Sequence, residues 1–306
     1  MLASRRTDLV LLLVAVVWGS SYLVAKNATV VLPVLVVLLA RYALSTAACL
    51  ALVRGRRPTR DEVRAGTLLG VTQGAVLVLE TYGVAHTSAA NAGLIISLTI
   101  VLTPLLDRGN GRLPGRFFLA AGVCVAAVGL LMSGTGLDAP RSGDLLMLAA
   151  AVVRAGHVAL VGRTTAGRAV RPLHLTAVQS AVGTALLLVP AAAGVPDLVH
   201  ADAGTWAQLA YLALFCSVFA FLAQTWAIQR TSASRASLLL GTEPVWAVAT
   251  GIWLGGEPLT AATALGAALM VAGTYWGQSV ERTHRSTAKG TTPCPTPGTP
   301  TALTSA

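Results

Sequence analysis

Charge is what this chain has least of. Asp, Glu, Lys and Arg make up 11% of its 306 residues, 55% are hydrophobic and the mean hydropathy is +0.71. So few polar residues cannot cover a soluble globule of this size, and the chain reads as an integral membrane protein. Acids are scarcer than bases, with 12 Asp and Glu against 22 Lys and Arg, a formal charge of +10. The bases are dispersed through short loops, not gathered on one arm or face, so the excess points to membrane topology and away from nucleic acid. Cysteine is sparse too. Cys49, Cys124 and Cys216 lie within apolar runs and Cys294 in the tail; they show no metal-ligand spacing, and no disulfide framework is expected. A nucleotide-binding Gly-rich loop, an HExxH motif and a serine elbow are all missing, which leaves no basis for an enzyme, a metal site or a cofactor.

What the chain does have is long apolar runs. Polar breaks divide it into ten segments, at 9–26, 30–53, 64–85, 89–106, 117–133, 144–162, 173–193, 205–229, 236–254 and 259–280. Each is close to the ~20 residues a helix needs to cross a bilayer. The first follows Arg5 and Arg6 like a signal peptide, but it runs on to Ala25 without a small-x-small cleavage site and is taken as a retained helix. If the N-terminus is cytoplasmic, 18 of the 22 Lys and Arg residues fall on the cytoplasmic side. That asymmetry predicts ten crossings of the cytoplasmic membrane, with both termini inside.

The two halves repeat. A shift of 144 residues lays Glu80 on Gln224, Ala92 on Ala236, Pro114 on Pro258, Gly122 on Gly266 and Gly129 on Gly273. Further upstream, LLVAVVWGSSYLVAK from Leu12 matches LAAAVVRAGHVALVG from Leu148 and sets Trp18 opposite Arg154. Pro33 and Arg41 then fall near the counterparts of Pro172 and Gln179. Five crossings per half is an odd number, so the copies enter the membrane in opposite senses. The predicted fold is all-α integral membrane, with ten transmembrane helices built as two inverted-topology five-helix repeats. The expected organisation is a cytoplasmic N-terminus over 1–8, a first repeat over 9–133, a second over 144–280 and a disordered Thr/Pro-rich tail over 281–306.

Several stretches carry a family resemblance: WGSSYLVAK near the start, TSAANAGLIISLTIVLTPLL in the fourth segment, GDLLMLAAAVVRAGHVAL in the sixth, and RASLLLGTEPVWAVATGIWLGGEPLT through GAALMVAG at the end. They resemble the EamA-type transporters of the drug/metabolite transporter superfamily, over about residues 9–280. The resemblance implies a central cavity walled by the first four helices of each repeat, with the fifth and tenth helices outside it. It also implies transport of amino acids, other metabolites or drugs, often outward. The sixth segment carries Arg154 where the family usually has an aromatic, which points away from a neutral, purely apolar substrate.

Polar groups buried in apolar segments are the site candidates. Glu243 lies ~12 Å into its segment, near mid-bilayer, where an acid tends to be functional. Pro244 beside it withholds an amide hydrogen from the Leu240 carbonyl and is expected to bend the helix. Arg41 and Arg154 need partners at mid-depth, and Glu80 and Glu243 are the intramembrane acids that can supply them. Together the four could grip a zwitterion or merely staple helices. His157, one turn from Arg154, could exchange a proton or simply pack. Gln73, Gln179 and Gln224 could orient a substrate or bond to neighbouring helices. Trp18 could wall the cavity or sit in an interfacial belt. Gly122, Gly129, Gly266 and Gly273, spaced by seven, are expected to let helices pack closely.

The function that follows is secondary transport of a small metabolite or drug by alternating access, with export favoured and either a proton as coupling ion or uncoupled facilitation. Expected partners are the substrate, protons, membrane lipid and a second copy of the chain in a homodimer, with no nucleic acid. The alternative is a non-transporting membrane receptor or scaffold whose buried charges only lock helices together.

Overall fold

Backbone polar groups in hydrocarbon must be satisfied within the chain, so long apolar runs fold as helices. A computed structural model describes residues 2–53, 57–86, 95–107, 113–133, 142–255 and 260–290, and every regular element among them is helical. In order these are α1 (Leu2–Val31), α2 (Val34–Leu52), α3 (Arg60–His86), α4 (Thr99–Leu106), α5 (Gly115–Ser133), α6 (Ser142–Thr165) and α7 (Pro172–Leu188). A 3₁₀ segment, Ala192–His200, leads into α8 (Ala203–Arg230), whose middle, Leu214–Phe219, is π-helical. The chain ends in α9 (Ala233–Leu240), α10 (Glu243–Gly255) and α11 (Ala261–Gly290).

Within α1, α2, α3, α6 and α8 there are five stretches long and apolar enough to cross a membrane; α7 taken with the 3₁₀ segment makes a sixth, bent by 103°. The protein is therefore a multi-pass membrane protein. The bend falls at Pro190, inside the expected 173–193 span, where the ring removes one helical hydrogen bond and crowds the preceding turn.

Two further boundaries depart from the sequence reading. The run 236–254 is not one helix kinked at Pro244. It stops at Leu240, crosses Gly241 and Thr242, and restarts at Glu243, with Pro244 as the second residue of α10. A proline in a first helical turn leaves no hydrogen bond unmade, so the break moves upstream of it. At the other end, α11 runs on to Gly290, past the expected tail boundary at Glu281. Glu281 is buried and accepts a hydrogen bond from Ser232 at 2.7 Å, which ties that turn to α9. Residues 291–306, the fourth segment's start at 89–94, and the expected break at Gly256-Glu257-Pro258 lie outside the described residues.

The helices pack in a repeating scheme. α3 lies against α6 and α7, α8 against α1 and α2, α2 against α7, and α5 against α11; α1 also touches α9 and α10, as α4 touches α6. Leu11, Val14, Leu38, Tyr42, Leu209 and Phe221 form part of the largest apolar core, joining α1, α2 and α8. Of the glycines spaced by seven, Gly273 makes the close approach expected of it while Gly122 and Gly129 do not, and Gly19, outside that pattern, makes another. A Cβ on Gly122 or Gly129 would meet open space, whereas one on Gly19 would lie 2.8 Å from the Glu243 carbonyl oxygen and one on Gly273 2.8 Å from Cys124 Sγ. A seven-residue spacing marks one stripe of a helix but does not say whether that stripe faces protein or lipid.

One end of the bundle is held by ions. Arg235 on α9 grips Asp8 of α1 through contacts of 2.6 and 2.7 Å, Arg282 of α11 reaches the same carboxylate at 3.0 Å, and Glu281 stands 4.0 Å from Arg235. Nearby on that end, Thr59 and Glu62 form a reciprocal capping box at the start of α3. Glu62 also accepts from the Arg171 amide and pairs with His174, both at 2.8 Å, which fixes α7 to α3.

Candidate functional site

A cavity of about 690 Å³, its open mouth included, runs into the bundle between α1, α2, α3, α6, α8 and the start of α10. Eight of the nine expected site residues line it: Trp18, Arg41, Gln73, Glu80, Arg154, His157, Gln224 and Glu243. Lys26 and Thr29 lie at the mouth, at the bundle end opposite Asp8 and Arg235.

The centre of the site is Arg154. Its Nη1 donates to Glu80 at 3.1 Å and its Nη2 to Glu243 at 2.7 Å. Its guanidinium carbon sits 4.8 Å from the centroid of the Trp18 ring, within cation–π range. All four groups are buried or nearly so, which such a cluster tolerates only because each charge is paired. Glu243 opens α10, where the helix dipole favours a negative charge. Trp18 is fixed in turn by its indole N–H, which donates to the Cys216 carbonyl at 2.9 Å.

The chain matches the EamA-like transporter family over residues 5–135 and again over residues 141–276. It belongs to that family. Among its relatives is a protein named "Uncharacterized transporter" from Archaeoglobus fulgidus, 24% identical, the match covering 87% of this chain and 96% of that one. Another, from Escherichia coli strain K12, is named "Uncharacterized inner membrane transporter YedA"; it is 28% identical, over 80% of this chain and 81% of its own. A crystal structure shares the fold, with a TM-score of 0.72 at 18% identity over 91% of this chain and 98% of the other. This EamA-like protein is accordingly a membrane transporter.

The division of charges in the transporter's cavity differs from the sequence expectation. Arg154 takes both acids, and Arg41 pairs with neither. Arg41 donates from Nε to Ser217 Oγ at 2.6 Å and from Nη2 to the Cys216 carbonyl at 3.1 Å. The π-helical turn of α8 supplies these acceptors, since widening the helix lets the Cys216 carbonyl receive side-chain donors from α1 and α2. No periodicity in the sequence marks such a turn. Tyr22 was also missed, although it lies one helical turn beyond Trp18 and that spacing was readable. Its hydroxyl donates to Glu80 at 3.4 Å.

Among the weaker candidates, His157 Nδ1 lies 2.8 Å from the Thr72 hydroxyl, a bond between α6 and α3 in which the ring tautomer sets the donor. Gln73 and Gln224 are buried against the cavity. Gln179 does not line it. It is buried on α7 with no partner for Oε1, at the close contact where α3 passes with Gly70. The repeat gave its register along the helix but not the direction it faces.

A second, smaller cavity lies across the ion pair. Ser97, Thr99, Ser237, Gly241 and Pro244 contribute to its lining, where α4 meets the α9–α10 break. It shares Arg154, Val158 and Glu243 with the large cavity, so the Arg154–Glu243 pair forms part of the partition between them.

Proposed function

We propose that this protein is a secondary transporter of the cytoplasmic membrane that exports small, polar or dipolar metabolites such as amino acids, or drugs, by alternating access. The observation that carries the reading is a deep cavity with balanced charges at its floor, while the Asp8–Arg235–Arg282 network ties α1, α9 and α11 together at the other end of the bundle. Arg41 and Arg154 balance Glu80 and Glu243, so the floor suits a solute without net charge. With the N-terminus cytoplasmic, as the distribution of Lys and Arg favours, the ionic end faces inward and the mouth outward.

Ten crossings in two inverted repeats give this cavity its place. Exchanging α1–α5 with α6–α11 maps the α3 contacts with α6 and α7 onto those of α8 with α1 and α2, and maps the α2–α7 and α5–α11 pairs onto themselves. That correspondence, with the double family match, supports a two-fold relation and a site between the halves. Glu80 and Glu243 are the groups that would carry a coupling proton, each leaving Arg154 when it is protonated.

Purified protein in liposomes tests the reading with a panel of amino acids and organic cations. Saturable flux that Glu243→Gln reduces at least about tenfold is expected, since the variant loses a charge-assisted bond. Absence of flux across the whole panel would favour a receptor or scaffold. Unchanged counterflow and unchanged proton-driven transport in a folded Glu243→Gln protein would remove the carboxylate from any coupling role.

A further inference from the structure

We propose that Trp18, Tyr22, Glu80 and Glu243 form a binding cage for an organic cation, and that Arg154 is its resident occupant, tethered to the site by α6. The cage is complete without its occupant. Trp18 and Tyr22 come from α1, Glu80 from α3 and Glu243 from α10. Each feature matches what a free guanidinium or alkylammonium ion requires: an aromatic face 4.8 Å from the charged carbon and two carboxylates at 3.1 and 2.7 Å, accepting from different nitrogens.

The cage walls are held by contacts that do not involve Arg154. Trp18 is anchored to the Cys216 carbonyl, Tyr22 donates to Glu80, and the absence of a side chain on Gly19 lets α1 rest on the backbone of Glu243 and Ala247. The occupant also stands in the partition between the two cavities. A cation that takes its place therefore does two things at once. Its charge pairs the carboxylates that Arg154 releases, and a carboxylate on the same dipolar solute takes the freed guanidinium, so no buried charge is left bare. It also frees Arg154 from Glu243 and loosens the partition. On this view the substrate presents an ammonium or guanidinium group to the cage, and the tethered arginine keeps the unloaded carrier neutral at its centre. This use of the cage rests on the transport reading; the existence of the cage does not.

The test is binding, measured without flux. The full chain in detergent and its Arg154→Gln and Arg154→Ala variants are titrated with guanidinium chloride against sodium chloride at equal ionic strength, and followed by calorimetry and thermal unfolding. Both variants are expected to bind guanidinium at least about tenfold more tightly than the wild-type protein, whose cage is filled. Adding Glu243→Gln or Trp18→Ala is expected to abolish the gain. A variant that folds only when guanidinium is supplied also supports the cage. Equal binding by wild type and variants, a gain that survives both added substitutions, or variants that guanidinium cannot restore to a folded state would each overturn it. A failed binding test leaves the transport reading intact, whereas binding as expected with no flux in liposomes counts against transport and not against the cage.

Discussion

Asp8→Asn should unlock the end of the bundle that the cavity does not reach. The Asp8 carboxylate receives Arg235 Nε at 3.0 Å, Arg235 Nη2 at 2.7 and 2.6 Å and Arg282 Nη2 at 3.0 Å, so one atom change weakens the carboxylate that α1 contributes to this network. The Arg235 and Asp8 side chains are 5% and 13% exposed, so solvent screens the pair little. Breaking a buried pair costs about 3–5 kcal/mol when a charge is left bare. Arg235 keeps Glu281 at 4.0 Å, and the amide still accepts one bond, so we take a lower figure of about 2 kcal/mol, a shift of roughly thirtyfold towards the state open at this end. Spin labels at Arg5→Cys on α1 and Thr283→Cys on α11, both exposed positions, would report the opening as a longer distance. Cys49, Cys124 and Cys216 are buried and can stay, while Cys294 is replaced. Asp8→Glu should restore the short distance. A distance distribution that stays the same in folded Asp8→Asn protein would refute the view that this network holds the end shut.

Four further outcomes are expected. Gly19→Ala places a Cβ 2.8 Å from both the Glu243 carbonyl oxygen and the Trp246 Cβ; overpacking of about 1–3 kcal/mol should lower the unfolding temperature and the flux together, read by thermal scan and liposome assay. Arg41→Lys keeps the charge but cannot reach both Ser217 and the Cys216 carbonyl in the same planar geometry, so it should lose about 1–2 kcal/mol of stability in chemical denaturation, whereas Gln179→Leu, away from the cavity, should leave substrate affinity unchanged. His157→Gln retains a partner for Thr72 and should shift the pH profile of transport by less than about half a unit, since the ring bonds to a neutral hydroxyl; loss of pH dependence would make His157 the coupling group instead.

The convergence of Trp18, Glu80, Arg154 and Glu243 was legible because hydrocarbon leaves buried charges few choices: with two acids and two arginines at mid-depth, each had to find a partner. The allocation was not legible. It depended on the π-helical turn that gives Arg41 neutral acceptors where α8 packs against α1 and α2, and no local pattern marks that turn. The break at Gly241 shows the same limit. Pro244 announced an interruption, but a proline is compatible both with a bend and with a restart just before it, and the Ile100 side chain that packs over Gly241 from α4 lies far from it in sequence. Gln179, Gly122 and Gly129 failed for a related reason, since repeat alignment and spacing give position along a helix but not the azimuth that separates cavity, neighbour and lipid.

Trp18 and Arg154 are aligned with each other across the proposed repeat, and the structure sets them in contact. A residue touching its own mate lies close to the axis that relates the halves, so this pair marks where that axis would pass. There the second half carries a cation where the first carries an aromatic, and each half supplies one carboxylate to it, Glu80 from α3 and Glu243 from α10. Rocking one half against the other must therefore strain at least one of the two ion pairs, which couples the occupancy of the cage to the orientation of the carrier. Arg154→Trp would put aromatics on both sides of the axis and remove that coupling while leaving two carboxylates without a cation. Such a protein should take up organic cations on the cage and lose the preference for solutes without net charge; an unchanged substrate profile in a folded Arg154→Trp transporter would show that Arg154 only holds helices together.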